Sequence, residues 1–345
     1  MSALSAPFAP RPEWNDPEGV AAIAATGGSV HWLRVRDGLP LRAAYWGARD
    51  RRPRGTMLLL NGRAEFIEKH LESVEELRQR GFAVWTLDWR GQGRSGRLLT
   101  DPGKGHVRDF ADYVADLAQL VREKVEPTLS GGPLLMLAHS MGGNIALRYL
   151  AAYPGLVQRA VLSAPMIDFQ RNGMPLRRAL ALTGFLCALP GVAGRYNGRH
   201  RRAILAAHAD VATNPFTTCP LRFARTAAWL AQDPRLGIGA ATWGWSRAAL
   251  RSVATLAAPE VARRISIPVL LLAAEDERIT DNAAIARFAV ALPQARLEVI
   301  PGTRHELLGE ADAPRARFWR AFDAFLEASP AKPPAEAAAF LPSRG

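Results

Sequence analysis

Along the chain, short runs of consecutive apolar residues alternate with longer stretches whose apolar positions recur every three or four residues. The runs are Ser29 to Arg36, Leu41 to Trp46, Thr56 to Asn61, Phe82 to Asp88, Pro133 to His139, Ala160 to Ala164, Pro268 to Ala274 and Arg296 to Ile300. Each has the length of a strand. The amphipathic stretches between and after the later ones are Glu65 to Arg80, Asp109 to Glu126, Gly142 to Tyr153, Asp281 to Leu292 and Asp312 to Glu327. Apolar strands separated by helices predict an α/β fold with a mostly parallel central sheet covered on both faces. The first two strands, joined across Asp37-Gly38, predict an antiparallel hairpin at the sheet edge.

One interval breaks the rhythm. Residues 166–267 contain no convincing strand, only helical patterns at Pro175 to Leu189, Pro220 to Gln232 and Trp245 to Leu256. A structureless loop of that length is improbable, so a helical insertion before the next strand is expected. The predicted organisation is an N-terminal extension at 1–26, a core at 27–165 and 268–327, an insertion at 166–267 and a disordered Pro- and Ala-rich tail at 328–345. No internal repeat is visible.

Composition narrows the class. The 345 residues are 48% apolar and 22% charged, which excludes a disordered or low-complexity chain. No run approaches the roughly 18 apolar residues of a membrane-spanning helix. Met1 to Asp16 lack the basic start and apolar run of a secretory signal, and Cys187 and Cys219 offer neither a disulfide framework nor zinc-ligand spacing. A cytoplasmic, reduced protein is the expectation. The charge is +12, from 44 basic against 32 acidic residues, and every basic residue but Lys69, Lys104, Lys124 and Lys332 is arginine. Two readings of that excess stand: base composition of the genome, or attraction to an anionic membrane surface. Nucleic acid is not expected as a partner, because no recognition motif accompanies the scattered charge.

The chemistry begins at Ala138-His139-Ser140-Met141-Gly142, after an apolar strand and before a helix. A small residue two before a serine and a glycine two after it make a nucleophile elbow. Such a turn lifts the Ser140 hydroxyl above the sheet, while the Met141 amide and the helix N-terminus face any oxyanion. Serine needs a base, and in this chain order the base follows late. His305 sits in the loop between the last strand and the last helix, the place for that base. The acid belongs after the strand ending at Ala274, where Glu275, Asp276 and Glu277 compete. Counting from Ala274 selects Glu277, with Asp276 the alternative. The second oxyanion donor is expected from Asn61-Gly62-Arg63, as the amide of Arg63, whose side chain is also a candidate for meeting a phosphate.

Longer strings then carry a resemblance. Asp88-Trp89-Arg90-Gly91-Gln92-Gly93-Arg94-Ser95-Gly96-Arg97, the continuation through Gly105-His106-Val107, Ala138 to Gly143, and His305-Glu306 followed by leucines are similar to bacterial lysophospholipases. These form the monoacylglycerol-lipase-like branch of the α/β-hydrolase superfamily. The similarity spans about Pro53 to Glu327 and departs at Asn61-Gly62, where many relatives have His-Gly. It implies the α/β-hydrolase fold and cleavage of the acyl ester of a single-chain glycerolipid, foremost a lysophospholipid, through an acyl-enzyme on Ser140. A monoacylglycerol lipase or generalist carboxylesterase is the alternative, and a catalytically silent lipid-binding fold a third. The insertion would be a cap, with Phe185, Leu189, Phe223, Trp229 and Trp243 as candidate substrate-binding residues. No metal or organic cofactor is implied. Peripheral contact with an anionic inner membrane surface fits the charge, and the oligomeric state is left open.

Overall fold

A computed structural model describes residues 17–50, 53–129, 132–198 and 213–328. Eight strands form one sheet: β1 (Ser29–Arg34), β2 (Pro40–Trp46), β3 (Gly55–Leu60), β4 (Phe82–Leu87), β5 (Leu134–His139), β6 (Val157–Ser163), β7 (Val269–Ala274) and β8 (Ala295–Ile300). Their spatial order is β1-β2-β4-β3-β5-β6-β7-β8. The β1–β2 hairpin is antiparallel and lies at the edge, β2 runs antiparallel to β4, and all pairs from β4 to β8 are parallel.

The helices are α1 (Pro17–Ala25), α2 (Leu71–Gln79), α3 (Phe110–Leu120), α4 (Met141–Ala152), α5 (Leu176–Ala188), α6 (Pro220–Gln232), α7 (Trp243–Leu256), α8 (Pro259–Arg263), α9 (Asn282–Ala291) and α10 (Asp312–Glu327). Strand side chains alternate between two apolar layers. In β5, Leu134, Met136 and Ala138 pack with α3, α4, α7 and α9, while Leu135 and Leu137 face the layer of α1, α2 and α10. That double burial is why the strands read as unbroken apolar runs.

Differences from the sequence expectation have local causes. The stretch Glu65 to Arg80 begins as a 3-10 turn, Ile67–His70, whose first amide, on Ile67, donates to Asp88 Oδ1, and α2 follows from Leu71. The stretch to Glu126 leaves α-geometry after Leu120, passing through a π turn to a 3-10 turn containing Pro127. Helix α1 falls in the stretch read only as an extension, and its Ile23 is fully buried. Within the interval 166–267, Trp245, Ala248, Ala249 and Leu256 of α7 and Ala262 of α8 join the core layer on the sheet. Among the described residues, the segment standing off the core therefore comprises α5 and α6, with α5 lying along α7. The tail from residue 329 and the start to residue 16 lie outside the described residues.

Candidate active site

The elbow forms where β5 runs into α4. Ser140 has φ 50° and ψ −115°, a left-handed conformation that costs about 1–3 kcal/mol for a side-chain-bearing residue. Its neighbours pin it there. The Ser140 amide donates to Ser163 O at 3.0 Å, and its carbonyl accepts from Met166 N at 2.9 Å and Asn144 N at 3.2 Å. Gly142 is required by proximity: a Cβ there would sit 2.5 Å from Leu60 O and 2.6 Å from Asn61 O.

Three loops at the carboxyl ends of the strands bring distant side chains to this serine. The His305 Nε2 lies 2.9 Å from Ser140 Oγ, and its Nδ1 lies 2.9 Å and 3.0 Å from the two Glu277 carboxylate oxygens. The amides of Ile279 and Thr280 donate to Glu277 Oε1 at 2.8 and 3.0 Å. Burial pushes the Glu277 carboxyl up, but His305 and those two amides outweigh it, so its pKa ends below the usual value. An ionised carboxylate therefore faces the imidazole. Asp276, the alternative acid, points away: it is 48% exposed and paired with Arg278 at 2.6 Å.

The candidate oxyanion residues Arg63 and Met141 flank Ser140. Met141 opens α4, so its amide has no intrahelical acceptor, and Arg63 lines the same cavity as Ser140. Their loops are joined by Gln92, whose Oε1 accepts from Ala64 N at 2.6 Å and whose Nε2 reaches Met141 Sδ at 3.7 Å. Trp89 Nε1 donates to Asn61 O at 2.8 Å. The loop carrying Trp89 and Gln92 is fixed by Asp88, which accepts from Arg42 Nε and Arg94 N, both at 2.8 Å. Sequence reasoning used this string only as a family signature and missed its positioning role.

A second cluster missed from sequence lies behind His305. Lys69 Nζ bridges Glu65 (2.7 Å) and Glu306 (2.6 Å), Glu65 also accepts from the Gly62 amide, and the His139 ring lies 4.8 Å from the His305 ring, tilted 55° to it. Burial drives His139 down to about 4, so it is neutral at ordinary pH. No spacing rule links these residues; only β3, β5 and the last loop bring them together.

The cavity above Ser140 has a volume of about 430 Å³. Its apolar wall is Phe216, Leu230, Pro234, Ile238 and Ile279, and charged side chains including Arg63, Lys69 and Arg235 complete it. The five residues expected from the insertion are corrected here, since none lines this cavity. Phe185 is 67% and Leu189 42% exposed; Phe223 is buried; Trp229 lines a small recess beside Arg222 that adjoins the cavity across Glu65, Lys69, His139, Thr226 and Glu306; Trp243 begins α7, half-buried. Helix α5 buries only Ala179 and Thr183. The wall comes instead from Phe216, from Leu230 of α6, from the 3-10 turn and loop at 234–239 and from Ile279; of these only Leu230 lies in a stretch of helical periodicity.

Comparison with known proteins agrees with this geometry. The family model described as serine aminopeptidase, S33 (Hydrolase_4) matches residues 51–312. Lysophospholipase L2 of Escherichia coli (strain K12) is 34% identical over 335 residues, covering 90% of this chain and 93% of that protein. Monoacylglycerol lipase of Mycolicibacterium smegmatis is 29% identical over 268 residues, covering 76% and 85%. The crystal structure of a soluble variant of monoglyceride lipase from Saccharomyces cerevisiae, in complex with a substrate analog, superposes with a TM-score of 0.69 at 20% identity over 86% of this chain and 94% of that one. With its parallel sheet and the elbow after β5, the chain belongs to the serine aminopeptidase, S33 family and has the α/β-hydrolase fold.

Proposed function

We propose that Ser140, His305 and Glu277 form the catalytic triad of a lysophospholipase. The chain is a serine hydrolase of carboxylic esters. In the reaction, His305 Nε2 takes the Ser140 proton as Oγ attacks the acyl carbonyl, and Glu277 holds the resulting imidazolium without taking its proton. The amides of Met141 and Arg63 receive the oxyanion of the tetrahedral intermediate. Collapse breaks the ester bond, and His305 returns the proton to the departing glycerol oxygen. Water activated by the same imidazole then releases the fatty acid from Ser140.

The observation that carries the reading is the hydrogen-bonded chain from Ser140 through His305 to Glu277, opening into a cavity with one apolar wall and several charged residues. An acyl chain gains about 0.8 kcal/mol per buried methylene against such a wall. The likeness to lysophospholipase L2 supports a phospholipid headgroup. The likeness to a monoacylglycerol lipase favours a neutral one and is the second reading. Native chain and Ser140→Ala assayed on both lipids decide between them. Lysophospholipid cleavage, lost in Ser140→Ala, is expected; cleavage of the neutral lipid alone would sink the phospholipid assignment.

The reading extends to location at a membrane surface. No helix of the described residues is long and apolar enough to cross a bilayer. Leu182 and Phe185 on α5 and Leu189 just after its end are exposed, and Arg177 and Arg178 lie at its start. An apolar helix face with arginines at one end suits peripheral contact with anionic lipid from the cytoplasmic side.

A further inference from the structure

We infer that the guanidinium of Arg63 binds the phosphate of the substrate's headgroup and so sets the preference for phosphorylated over neutral lipid. This rests on the lysophospholipid reading above and deepens it.

Arg63, half-buried with its Nε fully enclosed, is unlike the buried cations around it. Arg42 is paired with Glu68 and Asp88, Arg90 with Asp116 and Asp37, and Lys69 with Glu65 and Glu306. Arg97, which has no ion pair, donates to four backbone carbonyls. No carboxylate among the described residues pairs with Arg63. Its Nη2 donates to Gly239 O at 2.8 Å, its plane lies 4.9 Å from the Trp245 ring centre, and its Nε is buried with no acceptor. These contacts hold the group at the wall of the cavity that contains Ser140 and His305.

A guanidinium removed from water without a counter-anion is unfavourable, and burial lowers its pKa to about 10, which still leaves it charged at neutral pH. The missing partner is an anion with several acceptor oxygens, which a phosphodiester supplies to the planar fork. The reach is consistent. The Arg63 guanidinium is one extended side chain from its own amide, the candidate oxyanion donor. In a lysophospholipid the phosphate is joined to the acyl ester through the glycerol carbons, a span of similar length. The other cations on the wall have carboxylate partners: Lys69 two, and Arg235 the Asp233 carboxylate that it shares with Arg94.

The test compares kcat/KM for 1-palmitoyl-lysophosphatidylglycerol and 1-palmitoylglycerol in the native chain, Arg63→Gln and Arg63→Lys. The phospholipid-to-glycerolipid ratio is expected to fall roughly 30-fold in Arg63→Gln, mainly through KM, and less in Arg63→Lys, which keeps the charge but loses the fork. Both rates come from one preparation, so partial unfolding leaves the ratio unchanged. An unaltered ratio in both variants of an enzyme that cleaves the phospholipid would overturn the role of Arg63 alone. Failure of the native chain to cleave it would overturn the reading beneath. Inorganic phosphate in the glycerolipid assay separates the sources: inhibition abolished in Arg63→Gln, with the ratio unaltered, would assign the position to a free anion and overturn headgroup recognition.

Discussion

At the scale of single residues, two adjacent carboxylates have opposite environments. Glu277 is buried against His305 with two amides on it, whereas Asp276 faces solvent beside Arg278. Glu277→Gln is therefore expected to lower kcat by about 10³-fold or more, and Asp276→Asn to leave it within about threefold, in a steady-state ester assay. Similar losses in both would break the assignment. His139 makes a second prediction, about pH. Its folded-state pKa of about 4 lies below the ordinary 6.5, so the unfolded chain binds its proton more readily. The stability that follows from its neutrality is complete above pH 6.5 and is lost as pH falls toward 4. Thermal unfolding midpoints should drop across that window, and drop less in His139→Phe, which keeps an aromatic ring against His305. Equal slopes in the two proteins would refute the account.

At the scale of elements, the string from Asp88 to Arg97 works as a clamp. Arg42 on β2 is inserted between Glu68 of the 3-10 turn and Asp88 at the end of β4, with contacts of 2.6 to 2.8 Å. Two loops next to the elbow are thereby locked to the sheet. Arg42→Met leaves two buried carboxylates facing each other without their cation. A loss of about 3–5 kcal/mol in denaturant unfolding is expected, well beyond a surface substitution. A loss under 1 kcal/mol would mean the network contributes little. The strands were legible within a few residues because each serves two apolar layers. Helix starts were less so: a 3-10 turn, its Ile67 amide capped by the distant Asp88, precedes α2, and no local pattern announces it.

At the scale of the whole molecule, the excess of positive charge and the exposed apolar face of α5 combine in one expectation. The native chain should sediment with phosphatidylglycerol-rich vesicles at low salt, detach as salt rises, and bind less as Phe185→Glu. Binding that ignores both salt and Phe185 would discard the membrane contact. Phe185 and Leu189 also illustrate a limit of pattern reading. Apolar residues at helical spacing in an insertion suggest a channel, yet Leu182 and Phe185 of α5 and Leu189 just after it face outward, and the cavity wall is built mostly by loops, with Leu230 of α6.

The sequence by itself determined the order of strands and helices along the chain, the elbow at Ser140 and His305 as the candidate base. Each is written in local terms: apolar runs, small residues around a strained turn, and a fixed order along the chain. Only the tertiary structure decided which of two neighbouring carboxylates meets the imidazole, which side chains wall the cavity, and that no carboxylate among the described residues pairs with Arg63. Those are outcomes of loops from separate strands converging at one sheet edge. A contact between residues 165 apart, such as Ser140 with His305, leaves no periodic trace in either segment.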